Sequence, residues 1–370
     1  MVLYRRMIVV LAVAAWCASA ADALPRFSAR TGMKCQSCHV DPSGGGMRQA
    51  FGAKYGREEL PVPEWSDGMS TEDVTNIITN VLGVGADLRT LYMVRSVPDS
   101  SGTTARTENS FWQMQGDLYL HFRVSKKVGL YLKKGLYSGF EAFGTLQVLP
   151  AHGHIKIGKF VPNYGMRMDD HTTFVRTYTG FSPATGRPEL TGVEGAIAPG
   201  AFRIAAGVFN AADAFGGGDS RKALLGRAEG LFTLGEDVTF GIGANVFRRE
   251  LDAGGKQTLA GSFGSFSAGD LTLLGEVDMI RSEVAAKTIT AVAGFGEVDY
   301  TVTPGVDLKF MYDFYDPDRD LKSGSVSRYS VGFEFFPVSG VEVRPLYRIV
   351  VDDPRDVPNN ELHVLFHLYL

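Results

Sequence analysis

From about residue 79 to the carboxyl terminus the chain alternates apolar and polar residues with a period of two. No sustained helical period interrupts it, so a long succession of strands with one greasy and one polar face is predicted. In 305–316, Val306, Leu308, Phe310, Tyr312 and Phe314 share one face, and Asp307, Lys309, Met311, Asp313 and Tyr315 the other. The same split sets Trp112, Met114, Leu118, Leu120, Phe122 and Val124 against Gln113, Gln115, Asp117, Tyr119, His121 and Arg123. It sets Leu82, Val84, Ala86 and Leu88 against Asp87, Arg89 and Arg95, and Val341, Val343, Tyr347 and Ile349 against Glu342, Arg344 and Arg348. Two architectures satisfy this pattern. A soluble β-sandwich buries its apolar faces between sheets, whereas a transmembrane barrel turns them to lipid around a polar lumen.

The connections favour the barrel. Strands are expected near 153–161, 191–198, 201–209, 222–233, 238–250, 257–266, 271–283, 287–302, 306–315, 327–336, 341–351 and 361–370. Short turns at Pro199-Gly200, Ser267–Asp270, Thr303–Gly305 and Pro337–Gly340 alternate with longer loops at 162–190, 210–221, 316–326 and 352–360. The connection at 284–286 is short where the alternation calls for a long one. Short periplasmic turns and long external loops are the habit of outer-membrane barrels. Carrying the parity back, with a hairpin tip at Ser138-Gly139, adds four strands. The expected fold is thus all-β, an antiparallel transmembrane barrel of about 16 strands over 79–370, with both termini on the periplasmic side. The final strand, ELHVLFHLYL, ends on Leu370 rather than on the more usual aromatic residue.

The amino terminus fixes the compartment. Arg5 and Arg6 precede an apolar run from Met7 through Ala15 and small residues in Ala18-Ser19-Ala20 and Ala21-Asp22-Ala23, the order of a secretory signal over residues 1–23. The apolar run is too short to be a comfortable spanning helix, which needs about 20 residues. A lipid anchor on Cys17 is the rival, but bulky Trp16 precedes it. Signal removal takes Cys17 away and leaves Cys35 and Cys38, followed directly by His39.

Cys-x-x-Cys-His is the pattern of c-type haem attachment: two thiols add to the haem vinyl groups and the adjacent imidazole ligates the iron. Tetrahedral zinc wants four nitrogen or sulfur ligands and no second cysteine pair exists. A redox-active dithiol would sit in a strand-and-helix context that this segment lacks. The predicted unit is a monohaem cytochrome c-like segment over 24–62, with Cys35, Cys38 and His39 binding one covalent haem c and His39 as iron ligand. Within it Pro42 and Gly44-Gly45-Gly46 predict a turn and Met47–Leu60 a short helix ending at Pro61, with a linker over 63–78. About 40 residues rarely stabilise themselves without a staple or a host.

With its phrase Pro25-x-Phe27-x-x-x-Thr31-Gly32-x-x-Cys35-x-x-Cys38-His39 and the single barrel behind it, the chain resembles the fused monohaem cytochrome and porin proteins of iron-oxidising bacteria. The resemblance is specific over about fifteen residues. It departs after the motif, where Pro42 is followed by Ser43 and three glycines and Phe51-Gly52 comes late. What the resemblance implies is a haem segment in or under the lumen and an outer-membrane electron conduit. Its partners would be an extracellular donor or acceptor, Fe(II) among them, and periplasmic c-type cytochromes or other electron carriers; apart from the resemblance, loop parity places the basic turn at Lys126 and Lys127 on the periplasmic side, and whether a carrier docks there stays open. An iron:cytochrome oxidoreductase activity would follow. Physically, a hydrocarbon layer about 30 Å thick insulates, and a cofactor within a polar lumen shortens the gap.

The sixth iron position is open among Met33, Met47, His121, Met166, Met168, His171, His363 and His367. Acidic loops carrying Asp316, Asp318 and Asp320, and Asp352, Asp353 and Asp356, supply hard oxygen donors but match no complete calcium loop. With 37 basic and 41 acidic residues the net charge is −4, and no basic stripe or reading motif points to nucleic acid. Two other functions stay alongside the conduit: a solute porin whose haem-bearing segment acts as a plug, and a haem enzyme acting on a small ligand.

Overall fold

The computed structural model describes residues 26–66, 76–100, 102, 105–136, 139–182, 188–212, 220–235, 237–251, 254–285, 287–355 and 357–370. The signal segment, Ser138 and Asp356 lie outside the described residues. Sixteen strands form one closed barrel: β1 (Leu82–Pro98), β2 (Ala105–Arg123), β3 (Val128–Gly135), β4 (Phe140–Leu149), β5 (Gly153–Phe160), β6 (Leu190–Ile197), β7 (Phe202–Asn210), β8 (Lys222–Leu234), β9 (Val238–Glu250), β10 (Lys256–Ala268), β11 (Leu271–Val284), β12 (Lys287–Thr303), β13 (Val306–Asp316), β14 (Val326–Phe335), β15 (Val341–Asp352) and β16 (Glu361–Tyr369). Every neighbouring pair is antiparallel, and β1 closes on β16 from Asp87↔Tyr369 to Arg95↔Glu361. Closure leaves no free sheet edge along the paired wall, which a lipid environment demands.

The faces are inverted relative to a soluble protein. Outward residues such as Leu118, Ile204, Leu224, Ile242, Val277, Leu308 and Val331 are exposed, while their polar neighbours Asp117, Arg203, Asp278, Asp307 and Ser330 are buried. A soluble sandwich is therefore excluded. Phe202, Phe232 and Phe240 form a ring cluster near the short-turn end, with centroids 5.6 and 4.8 Å apart, where aromatic girdles of membrane barrels lie. Among the described residues no helix is long and apolar enough to cross a membrane, so any crossing rests on the strands.

Two sequence expectations are corrected. Met114 and Trp112 do not share the outward face of Leu118 and Leu120. The β1–β2 register slips between Arg89 and Thr90, so that Arg89 faces Gln115 and Thr90 faces Gln113. Met114 is the extra residue of a bulge, which flips the faces beyond it: Phe111 now packs outward on Tyr92, centroids 4.8 Å apart. The expected Met47–Leu60 helix is also shorter. His39 bridges Arg48, and Val40 N–H donates to Met47 C=O at 2.9 Å, holding residues 47–49 extended, so helix begins only at Ala50.

The amino-terminal segment fills the lumen. It consists of α1 (Arg26–Thr31), α2 (Cys35–Cys38), α3 (Ala50–Glu58) and α4 (Pro63–Ser66). The connection between β5 and β6 also turns inward and carries α5 (Phe174–Thr179). The luminal charges are buried because these two pieces cover them.

Replacing Val277, mid-strand and 55% exposed, by Arg is expected to cost about 2–4 kcal/mol of stability in a bilayer, whereas Val277→Ile is neutral. Urea unfolding in lipid vesicles measures both, and equal stability would show that this face does not meet lipid.

Candidate functional site

Asp41 and Ser43, in the turn after the Cys-x-x-Cys-His motif, meet the wall at Lys156. The Lys156 ammonium is fully buried; it donates to Asp41 Oδ1 at 3.0 Å and to Ser43 Oγ at 3.1 Å, and lies 4.2 Å from the Phe160 ring centroid. Ser43 Oγ donates to Glu194 Oε1 at 3.1 Å. Burial alone would raise the Asp41 carboxyl, but Lys156 and Arg167 outweigh it and hold it down at about 2. On the opposite wall Arg26 forks onto Glu334, with Nη2 donating at 2.9 Å, and Arg30 pairs with Asp307 at 3.0 Å. The segment is thus clamped by charge from both sides, each charge neutralised by one the wall supplies. Buried pairs of this kind destabilise strongly when one member is removed.

The inward connection crosses from β5 to the far wall and back. Tyr164 Oη donates to Asp278 at 2.7 Å, Met166 N–H to Glu276 at 2.9 Å, and Arg227 to Gly165 C=O at 2.6 Å. Farther along, Arg344 pairs with Asp169 and Arg348 with Asp170, each at 2.9 Å, and Phe174 N–H donates to Asp313 at 2.8 Å. Arg167 then joins the two inserts, donating to Gly44 C=O at 3.3 Å.

Between them lies a cavity of about 260 Å³. The amino-terminal segment contributes Cys38, His39, Gly45, Gly46, Arg48, Gly52 and Gly56, and the inward connection contributes Arg167, Met168, Asp169 and His171. Gly52 and Gly56 stand four residues apart on α3, one helical face without side chains. The bare positions let the helix pack closely: a Cβ on Gly52 would come within 2.2 Å of Cys38 C=O, and one on Gly56 within 3.3 Å of the Tyr369 ring. His39 Nδ1 is buried without a hydrogen-bond partner. Burial and the nearby Arg48 charge lower the imidazole to about 4, so it is neutral at physiological pH, as a metal-ligating imidazole must be.

The three motif residues are not equally placed. Cys38 and His39 line the cavity; Cys35 is buried beside it, under Gly44, whose Cβ would meet Cys35 Sγ at 2.7 Å. Gly44 adopts a φ of +88°, so this close approach and this backbone both call for glycine. Both thiols are free, and burial pushes Cys35 up to about 12, the opposite of an activated redox thiol.

Of the distal residues expected from sequence, Met168, His171 and His367 line the cavity. Met33, Met47, His121, Met166 and His363 do not; His121 and Met47 border a separate small cavity, and His363 pairs with Glu361 at 2.8 Å. The cavity also draws in Met114, Arg48 and Tyr369, which sequence reasoning missed. The Gly52-x-x-x-Gly56 spacing was a readable signal for close packing of that helix on Cys38 and Tyr369; the bulge that turns Met114 inward left none. The acidic loops are spent on their own turns: Asp316 accepts from Asp318 N–H at 3.1 Å, and Asp318 from Asp320 N–H at 3.3 Å. A group of three carboxylates does occur at Asp169, Glu334 and Glu342, but each already faces a cation or imidazole in Arg344, Arg26 and His367.

The fold and this occupied lumen together define the class: a sixteen-stranded barrel of the porin fold with its bore filled. No protein-family model matches the chain, and no curated protein matches it. Solved structures do. OmpT of Vibrio cholerae shares 14% identity over 80% of this chain and all of its own, with a TM-score of 0.57. The anion-selective porin of Comamonas acidovorans shares 13% over 78% of this chain and 99% of its own, TM-score 0.57. OmpF of Salmonella typhi, solved with daunomycin, shares 10% over 78% and 97%, TM-score 0.56. At these identities the likeness is one of fold, that of outer-membrane β-barrel porins.

Exchanging Lys156 for Met is expected to leave the barrel folded but to weaken docking of the amino-terminal segment by about 3–5 kcal/mol, since buried Asp41 and Glu194 both lose this cation and Asp41 keeps only Arg167 at 3.9 Å. Protease sensitivity within 26–66 and single-channel conductance should both rise. An unchanged, protected segment would show that the clamp is not what holds it.

Proposed function

We propose that the protein is an outer-membrane electron conduit. Cys35 and Cys38 hold one haem c by thioethers, His39 ligates its iron, and the barrel lumen houses it. Residues 1–23 are then the export signal, 24–62 the monohaem unit and 63–78 the linker. A haem bound there supplies one-electron redox chemistry. The observation that carries this is the cavity itself: Cys38 and His39 of the Cys-x-x-Cys-His motif line a space between two inserts in the bore of a membrane-type barrel, with Cys35 buried beside it.

The residues present suit such a group. His39 offers a neutral imidazole, and Phe27, Val161, Leu274 and Phe336 supply apolar contact. Arg48 Nη1 is buried without a hydrogen bond, its nearest carboxylate, Asp87, 3.8 Å away, and would meet an acidic substituent of the macrocycle. The two inserts occupy the bore between the walls and carry the cavity between them, which favours the conduit above a solute porin with a haem-bearing plug. Ferrous iron outside and a c-type cytochrome or other carrier in the periplasm are the partners that the sequence resemblance suggests.

The test uses the full-length protein in sealed lipid vesicles with an electron acceptor trapped inside and a reduced dye or Fe(II) outside. Interior reduction should proceed with the wild-type chain and fall to the protein-free rate in Cys35→Ala/Cys38→Ala, without added leakage of small solutes. Leakage without electron transfer would establish a solute porin instead.

A further inference from the structure

We infer that Met168, carried by the inward connection into the cavity that His39 lines, would supply the second protein ligand to the haem iron; this rests on the haem-bearing reading above. Three of the side chains lining the cavity that could compete are engaged or displaced. His367 has Nδ1 at 2.8 Å from Glu342 and Nε2 at 2.8 Å from Asp87, so carboxylates occupy both ring nitrogens. His171 Nε2 lies 3.3 Å from Arg89 Nη1, and because a guanidinium only donates, the nitrogen's lone pair is taken. Met114 belongs equally to a smaller neighbouring cavity with Leu91, Arg348 and His363, farther from the motif.

Met168 alone combines a free donor with a fixed position. Its side chain is 7% exposed and lines the cavity. The preceding residue, Arg167, donates to Gly44 C=O at 3.3 Å and approaches Asp41 at 3.9 Å, which ties the connection to the turn that follows His39. The following residue, Asp169, is held by Arg344 through its carboxylate and by Arg89 through its carbonyl. A thioether between two anchored neighbours is preorganised, and a soft neutral sulfur donor opposite histidine raises the potential of a c-type haem. One loop would then both close the bore and set the redox poise of the site inside it.

The experiment purifies the full-length protein from a host that matures c-type cytochromes, beside Met168→Leu, Met168→His, Met114→Leu and His171→Ala. Leucine keeps the bulk of the side chain, and barrel integrity is checked by heat-dependent gel mobility. The oxidised wild type should show the red charge-transfer band of methionine–iron ligation. Met168→Leu should lose it with covalent haem retained, and Met168→His should give a low-spin spectrum with a lower midpoint potential. Met114→Leu and His171→Ala should keep the band. A band that survives Met168→Leu, or that disappears in Met114→Leu or His171→Ala, overturns the assignment while leaving the haem reading intact. Wild-type protein without covalent haem overturns both.

Discussion

A polar lumen in a lipid-facing barrel must find a partner for every charge it encloses. Around the bore of this protein Asp, Glu, Arg and Lys residues of both signs project inward from most of the strands, and bare water is one way to satisfy them. Here the chain does it with its own residues. Arg26 and Arg30 answer Glu334 and Asp307; Asp41 answers Lys156; Asp169 and Asp170 answer Arg344 and Arg348. The amino-terminal segment is too small to bury a core of its own, and the wall makes up the deficit by supplying charge, aromatic faces and the far side of its cavity.

That dependence explains why the site is assembled from distant parts of the sequence. The motif supplies a thiol and an imidazole, the helix after it a glycine face, and a connection more than a hundred residues later the opposite wall. Arg167 ties that connection to the turn after the motif by reaching Gly44 and Asp41. The inserts also stack: the segment bearing Cys38 and His39 and the connection bearing Met168 meet within the bore, and neither alone would enclose the cavity. Filling the bore in this way leaves a mixed-polarity space between the two inserts, which on the proposed reading would house a redox group.

Much of this was legible beforehand because strand periodicity is a local property. The alternation at 305–316 gave the inward set Asp307, Lys309, Met311 and Asp313, all of them buried, and loop parity gave sixteen strands with turns at the stated places. Even the short 284–286 connection is real, since β11 ends at Val284 and β12 begins at Lys287. What failed was non-local or depended on one inserted residue. The bulge opposite Arg89 reverses Trp112 and Met114, and a single extra residue leaves no compositional trace. The distal side of the cavity was equally hidden: eight histidines and methionines were equivalent on paper, and only the path of the inward connection separates Met168, which lines the cavity, from Met166, which does not. In the first acidic loop, which matches no complete calcium site, the structure adds what a sequence cannot show: backbone amides of Asp318 and Asp320 take up the carboxylates of Asp316 and Asp318.

The central claim is that a haem-bearing amino-terminal segment sits inside the barrel. The most direct measurement is protease treatment of the intact protein in lipid bilayers, open to attack from both faces, followed by mass spectrometry of the peptide spanning Cys35–His39. The peptide should carry the added mass of one haem and should be released only after the barrel is unfolded. A peptide of unmodified mass, or one cut freely from the folded barrel, would contradict the account.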